Sequence, residues 1–164
     1  MSPEFADKCD WKQLDREKCL ELLKTRPEFA DRCDRRKLDG ANWLELLKIR
    51  PELAEHCDWK KLNGENWLEL LSKRPRFAAY CDWSKFDGTA WMTLLIRRPE
   101  LAEFCDWSKL NGPEWAELIG YRPEMRRYLD PSSVLGFLEY FSADRGDLLR
   151  KSFLDAYPGK KRKS

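Results

Sequence analysis

The chain has 164 residues, and its 31 Lys and Arg against 29 Asp and Glu leave a formal net charge of only +2. Lys160, Lys161, Arg162 and Lys163 carry that excess, and so dense but balanced a body argues against a protein built mainly to coat polyanions. No apolar run approaches the ~20 residues that span a bilayer and no basic-then-apolar leader opens the chain, so a cytoplasmic protein without membrane contact is expected, and at this length ordinarily one domain.

The chain is organised by a repeat. RPELAEHCDWKKLNGENWLELLSK (50–73) recurs with small changes at 26–49, 74–97 and 98–121. Self-similarity at a fixed period of about 20–50 residues is the signature of a stacked array. Residues 1–25 read as a divergent N-terminal copy, with Arg16 where later copies have Gly and Cys19 where they have Trp. Terminal copies are often atypical because one face lacks a neighbour. Residues 26–121 form four regular copies, 122–157 a partial copy and a cap, and 158–164 a disordered basic tail.

Within copy 50–73, Pro51 suits the first position of a short helix. Leu53, Ala54 and Cys57 fall on one side of it. Asp58 is a candidate N-cap for a second short turn, where Trp59 and Leu62 share a face. Asn63-Gly64 is expected to break that turn. A longer helix is predicted from about Glu65 to Lys73, its Trp67, Leu70 and Leu71 forming a buried stripe. The next Arg-Pro ends it, because the residue before Pro is pushed out of the α region. A strand around Cys57–Leu62, as in leucine-rich repeats, is disfavoured by its low β-branched content. In the partial copy, Ser132 or Ser133 is placed to cap a helix bearing Val134, Leu135, Leu138 and Phe141. Asp144 is placed to start another, bearing Leu148, Leu149, Phe153, Leu154 and Tyr157. The predicted fold is therefore all-α: a right-handed short-repeat α-solenoid, with two short helices plus one helical turn in every repeat, closed by a C-terminal helical cap.

Little in the chain suits catalysis. His56 is the only histidine, at a position held by Arg32, Tyr80 and Phe104 in other copies. No phosphate loop, nucleophile elbow or paired metal motif occurs. Glu28, Glu52, Glu100 and Glu124 follow Pro in a first helical turn, where negative charge suits the helix dipole. Cys9, Cys33, Cys57, Cys81 and Cys105 recur at one repeat position. Helices pack about 8–10 Å apart and a disulfide needs Cα atoms within about 7 Å, so this row reads as a ladder of free, buried thiols. A string of metal ligands is the sharper alternative, but it lacks the paired spacing of a closed site. Cys19 stands outside the row. No catalytic residue, cofactor or metal is expected.

Two Trp rows, Trp11, Trp59, Trp83, Trp107 and Trp43, Trp67, Trp91, Trp115, read as core, although aromatic rows also stack bases. Arg35 interrupts the first. Arg26, Arg50, Arg74, Arg98 and Arg122 precede Pro, and Lys37, Lys61, Lys85 and Lys109 precede the Leu or Phe of the turn. Either each Arg bridges to a repeat Asp such as Asp34 or Asp58 or to a helix-end carbonyl, or the two rows track phosphates. On that alternative Arg50, Arg74, Arg98, Lys61, Lys85 and Lys109 make the contacts.

Recognition is expected where copies differ. The columns are Arg32, His56, Tyr80, Phe104 and Ile49, Lys73, Arg97, Tyr121, with Lys48, Ser72, Ile96, Gly120 a third. Repeat arrays present such varied columns on extended binding faces.

The consensus PxFAxxCDWxKLDGxxWxxLL, over about residues 2–130, resembles the tandem 24-residue helical repeats of uncharacterised bacterial proteins and, more loosely, the short-repeat α-solenoids. That likeness implies binding rather than catalysis. The expected function is a non-catalytic scaffold that binds a protein partner, as an adaptor or in the manner of an inhibitor. The alternatives are nucleic-acid binding along a basic, aromatic-lined face and structural self-assembly, end to end or as a homo-oligomer.

Overall fold

The computed structural model describes Trp11 and residues 13–129. Every regular element among the described residues is helical. Five α-helices recur once per repeat: α1 (Arg16–Thr25), α2 (Gly40–Ile49), α3 (Gly64–Lys73), α4 (Gly88–Arg97) and α5 (Gly112–Tyr121). Each is followed by a 3₁₀ helix that starts at Pro: Pro27–Phe29, Pro51–His56, Pro75–Tyr80, Pro99–Phe104 and Pro123–Tyr128. A second 3₁₀ turn comes before the next α-helix, at Arg35–Lys37, Trp59–Lys61, Trp83–Lys85 and Trp107–Lys109. Two short helices and a turn per repeat are thus present, in the local architecture of a short-repeat helical solenoid. The helices proposed for 132–157 lie outside the described residues.

The helix after Pro is 3₁₀ rather than α. Its bonds close three residues back, as from the Leu53 N–H to the Arg50 carbonyl (3.1 Å) and from the Cys57 N–H to the Ala54 carbonyl (3.2 Å). Three residues per turn place Ala54 and Cys57 above one another. Cys57 then turns extended, at φ −71° and ψ 132°, and the helix ends there.

Each α-helix begins on an Asx cap. Asp15, Asp39, Asn63, Asp87 and Asn111 accept the backbone N–H three residues on. The Asn66 N–H, for example, donates to the Asn63 side chain at 2.8 Å. Asn42, Asn66 and Glu114 reach back to the cap N–H and complete capping boxes. The Asx-Gly pair is therefore not a turn breaker: the Gly is the first helical residue, and no described glycine has positive φ. Gly is needed here for close approach. A Cβ on Gly64 would lie 2.6 Å from the Lys85 carbonyl oxygen. On Gly40 it would collide with the Lys61 carbonyl and on Gly88 with that of Lys109.

The helices end where the Arg before Pro leaves the α region. Arg50 (φ −121°, ψ 74°) and Arg74 (φ −137°, ψ 75°) still donate their N–H to Leu46 and Leu70, but Pro has no N–H to continue.

The chain forms two compact units, Met1–Lys85 and Phe86–Ser164, where length alone suggested one domain. In the first, α1 packs on α2 and α2 on α3; in the second, α4 packs on α5. Each α-helix also packs on the 3₁₀ helix that follows it. Trp43, Trp67, Trp91 and Trp115 are 0% exposed, as predicted for the long-helix row. Among the described residues the indole N–H groups of Trp43, Trp67 and Trp115 meet no hydrogen-bond acceptor, so packing holds these rings.

Candidate interaction surface

The Asp-Trp row is half-buried and works as a second aromatic layer. Trp59 stacks on core Trp67 from one side (centroids 5.3 Å, planes 16° apart) and on Tyr80 from the other (4.7 Å, 14°). In the second unit Trp107 lies between Trp115 (5.2 Å, 18°) and Tyr128 (4.4 Å, 14°). Each stack runs from the core to a surface ring supplied by the next repeat.

This explains one variable column. Arg32 lies over the Trp11 ring at 5.7 Å, a cation–π arrangement. Where Arg35 replaces the row's Trp, the residue above it is His56. Arg35 Nη1 lies 3.3 Å from His56 Nδ1 and donates to the His56 carbonyl at 3.2 Å. His56 Nδ1 is also 3.3 Å from Asp31. The column varies partly because it must cover a residue that itself varies. Tyr128 belongs to it, one period after Phe104, and sequence reasoning missed it by ending the regular copies at Tyr121. Beside Arg35 a shallow notch of about 280 Å³ opens, lined by Arg35, Arg36, Glu55, His56, Cys57 and Asp58. An Arg35→Trp, His56→Tyr double-mutant cycle should show favourable coupling of about 0.5–1.5 kcal/mol in urea unfolding, because the pair restores the stack.

The second column sits on the last residue of each α-helix. Ile49 is 52% exposed and Tyr121 67%. Lys73 and Arg97 are exposed between them in sequence, Lys73 3.4 Å from Glu69. The third column faces partly inward: Lys48 reaches Glu69 of the next helix at 2.6 Å, and Ser72 donates to the Leu68 carbonyl. The Glu69 carboxylate lifts the Lys48 pKa, and the Lys48 ammonium depresses that of Glu69.

The basic rows grip backbone. Arg50 Nε donates to the Lys24 carbonyl (2.7 Å), Arg74 Nη2 to Lys48 (2.8 Å) and Arg122 Nε to Ile96 (2.8 Å). Each satisfies a C-terminal carbonyl of the α-helix one repeat back. Arg98 lies 3.8 Å from Glu100. The lysines do the same for the turns. Lys61 Nζ donates to Arg36 (2.8 Å) and Leu38 (2.5 Å), Lys85 to Lys60 (3.0 Å) and Leu62 (2.5 Å), and Lys109 to Phe86 (2.6 Å). The contacts described for Arg50, Arg74, Arg122, Lys61 and Lys85 are to carbonyls rather than to the repeat Asp residues. Asp34, Asp82 and Asp106 accept N–H groups of their own turns, and the expected Asp58 cap makes no such bond. Lys61→Met should cost about 1–2 kcal/mol in urea unfolding, while exposed Lys60→Met stays within about 0.5 kcal/mol.

The five described cysteines are free thiols. Cys33 is buried, but Cys57, Cys81 and Cys105 are only half-buried, a looser ladder than predicted. Desolvation still pushes each of these three up to about 12 from 9.0. A raised folded pKa means the native state holds the proton more tightly. Their contribution to stability is full below pH 9 and falls as pH rises from 9 toward 12. Native alkylation at pH 8 should be much slower than in urea, and unfolding should become easier above pH 9. Among the described residues no group of three or more His, Cys, Asp or Glu is placed to hold a metal ion, and no helix is long and apolar enough to cross a membrane.

No protein-family model, curated protein or solved structure matches the chain. The chain is a tandem helical repeat.

Proposed function

We propose that this tandem repeat is a non-catalytic scaffold that binds a protein partner in the cytoplasm, as an adaptor or in the manner of an inhibitor. One observation carries the reading. The exposed large apolar side chains among the described residues are Ile49, Tyr80, Phe104 and Tyr121, and all four fall in the two variable columns. Each unit carries two, Ile49 and Tyr80 in the first and Phe104 and Tyr121 in the second. Aromatic rings standing at a surface among Arg, His and Lys are the composition of interface anchors. The nucleic-acid alternative is weakened because Lys61, Lys85, Arg50 and Arg74 are engaged with backbone carbonyls.

The test is site-specific photocrosslinking in extract of the cells that make the protein. A benzophenone residue is placed at 80 and at 121, and as controls at exposed Glu65 and Glu117. The reading expects one protein adduct shared by 80 and 121 and absent from the controls. Equal labelling at all four positions, or none at 80 and 121, overturns it. Salt-steep oligonucleotide binding by a chain lacking 158–164 favours the nucleic-acid alternative instead.

A further inference from the structure

The first copy departs from the others at one buried position, and the departure brings two thiols together. Elsewhere the residue fourteen places before the ladder cysteine is tryptophan: Trp43 before Cys57, Trp67 before Cys81, Trp91 before Cys105. In the first copy that residue is Cys19, fourteen places before Cys33. Cys19 is the fourth residue of α1, and Cys33 follows the short 3₁₀ helix that packs on α1. Both are buried. The Cys19 and Cys33 side chains share a hydrogen bond, and the Cys19 thiol also lies 3.8 Å from the Leu14 carbonyl. Equivalent residues of stacked repeats stand too far apart for a disulfide, but Cys19 and Cys33 are not equivalent, and they share one contact.

We propose that Cys19 and Cys33 are a disulfide-forming site, oxidised by exchange with a low-molecular-weight disulfide of the glutathione type. Sulfurs in hydrogen-bond contact are near neighbours that have to close to a bond of about 2.05 Å. In the first step the thiolate of one cysteine attacks a glutathione disulfide sulfur. A mixed disulfide forms and one glutathione thiolate leaves. In the second step the other cysteine, as thiolate, attacks the protein sulfur of the mixed disulfide. The Cys19–Cys33 bond forms and the second glutathione thiolate leaves. The protein gives up two electrons and two protons; the glutathione disulfide takes the electrons, and its two thiolates take the protons. Burial raises the Cys19 pKa, so exchange proceeds when α1 lifts from the array. In a stacked array such an opening disrupts only the contacts of α1 with its neighbours. Once closed, the bond ties α1 to the second copy and suppresses that opening.

The test uses the full chain equilibrated in glutathione buffers from fully reduced to fully oxidised, then acid-quenched, alkylated and mapped by mass spectrometry. Cys19→Ser, Cys33→Ser and Cys57→Ser are run alongside, with circular dichroism confirming that each folds. In wild type and in Cys57→Ser, two alkylatable thiols should disappear together, and a linked peptide pair should contain residues 19 and 33. Either single variant at 19 or 33 should abolish that link. Amide exchange in α1 should slow in the oxidised form. A chain that stays fully thiol at the most oxidising ratio, one that carries only glutathione adducts, or one that links through Cys9, Cys57, Cys81 or Cys105 overturns the proposal.

Discussion

Trp67→Ala should lower the unfolding free energy by about 3–5 kcal/mol, a large part of the roughly 5–15 kcal/mol that holds a domain together. Trp67 is fully buried in α3, and its ring is the inner member of the Trp67–Trp59–Tyr80 stack. Its removal takes away the largest buried ring at that level and opens a cavity under Trp59, which then has a stacking partner on one side only. Trp67→Phe should cost far less, because the Trp67 indole N–H makes no hydrogen bond that could be lost, and the penalty is one of volume alone. Urea unfolding followed by far-ultraviolet circular dichroism gives both values. A loss below about 1 kcal/mol for the alanine variant would mean that the ring is not a core element. In an array of nearest-neighbour contacts the damage should also be local. Hydrogen exchange should accelerate in α2 and α3 before it does in α5.

Gly64→Ala should destabilise the protein by about 1–2 kcal/mol, although alanine is the better helix former by about 1 kcal/mol. The added methyl would stand 2.6 Å from the Lys85 carbonyl oxygen. That oxygen belongs to backbone and cannot swing aside. Lys85 is itself fixed, its N–H to the Asp82 carbonyl at 3.2 Å and its ammonium to the Lys60 and Leu62 carbonyls. The turn would have to move away from α3, loosening the lysine grip. Gly120 supplies the internal comparison. It also lies in a helix, but a Cβ there would meet nothing within 4 Å. Gly120→Ala should therefore stabilise, by up to about 1 kcal/mol. The same substitution in two helices of one protein should thus change stability in opposite directions. Two stabilising results would show that the close approach at Gly64 is not tight.

The stacks blur the division between scaffold and binding surface. Tyr80 is half exposed, yet its ring closes an aromatic column that starts in the core. A partner that contacts Tyr80 therefore touches a ring positioned by Trp59 and Trp67, with little side-chain freedom left to lose on binding. Ile49 and Tyr121 stand at helix ends instead and have no such ring beneath them among the contacts described. Substitution at Tyr80 should affect both stability and binding, and substitution at Tyr121 binding alone.

The order of elements was legible in the sequence because it depends on local chemistry. Pro after Arg stops one helix and opens the next, Asx starts another, and Trp, Leu and Leu at helical spacing mark its buried stripe. The core Trp row was legible for the same reason. Contacts between repeats were not, since one copy of a pattern says nothing about what the next copy places against it. Gly64 read as a turn residue from its Asn neighbour, and only the Lys85 carbonyl above it shows that the position needs a missing side chain. Arg50 read as a partner of Asp, of a helix-end carbonyl or of phosphate, and Lys61 as a phosphate contact. They bind backbone carbonyls one repeat earlier in the chain, a separation at which side-chain identity carries no trace of the acceptor. Cys19 was visible as an exception in sequence. That it meets Cys33 was decided by the packing of α1 against the segment that follows it, because proximity between unlike positions of a repeat is a property of the fold and not of the period.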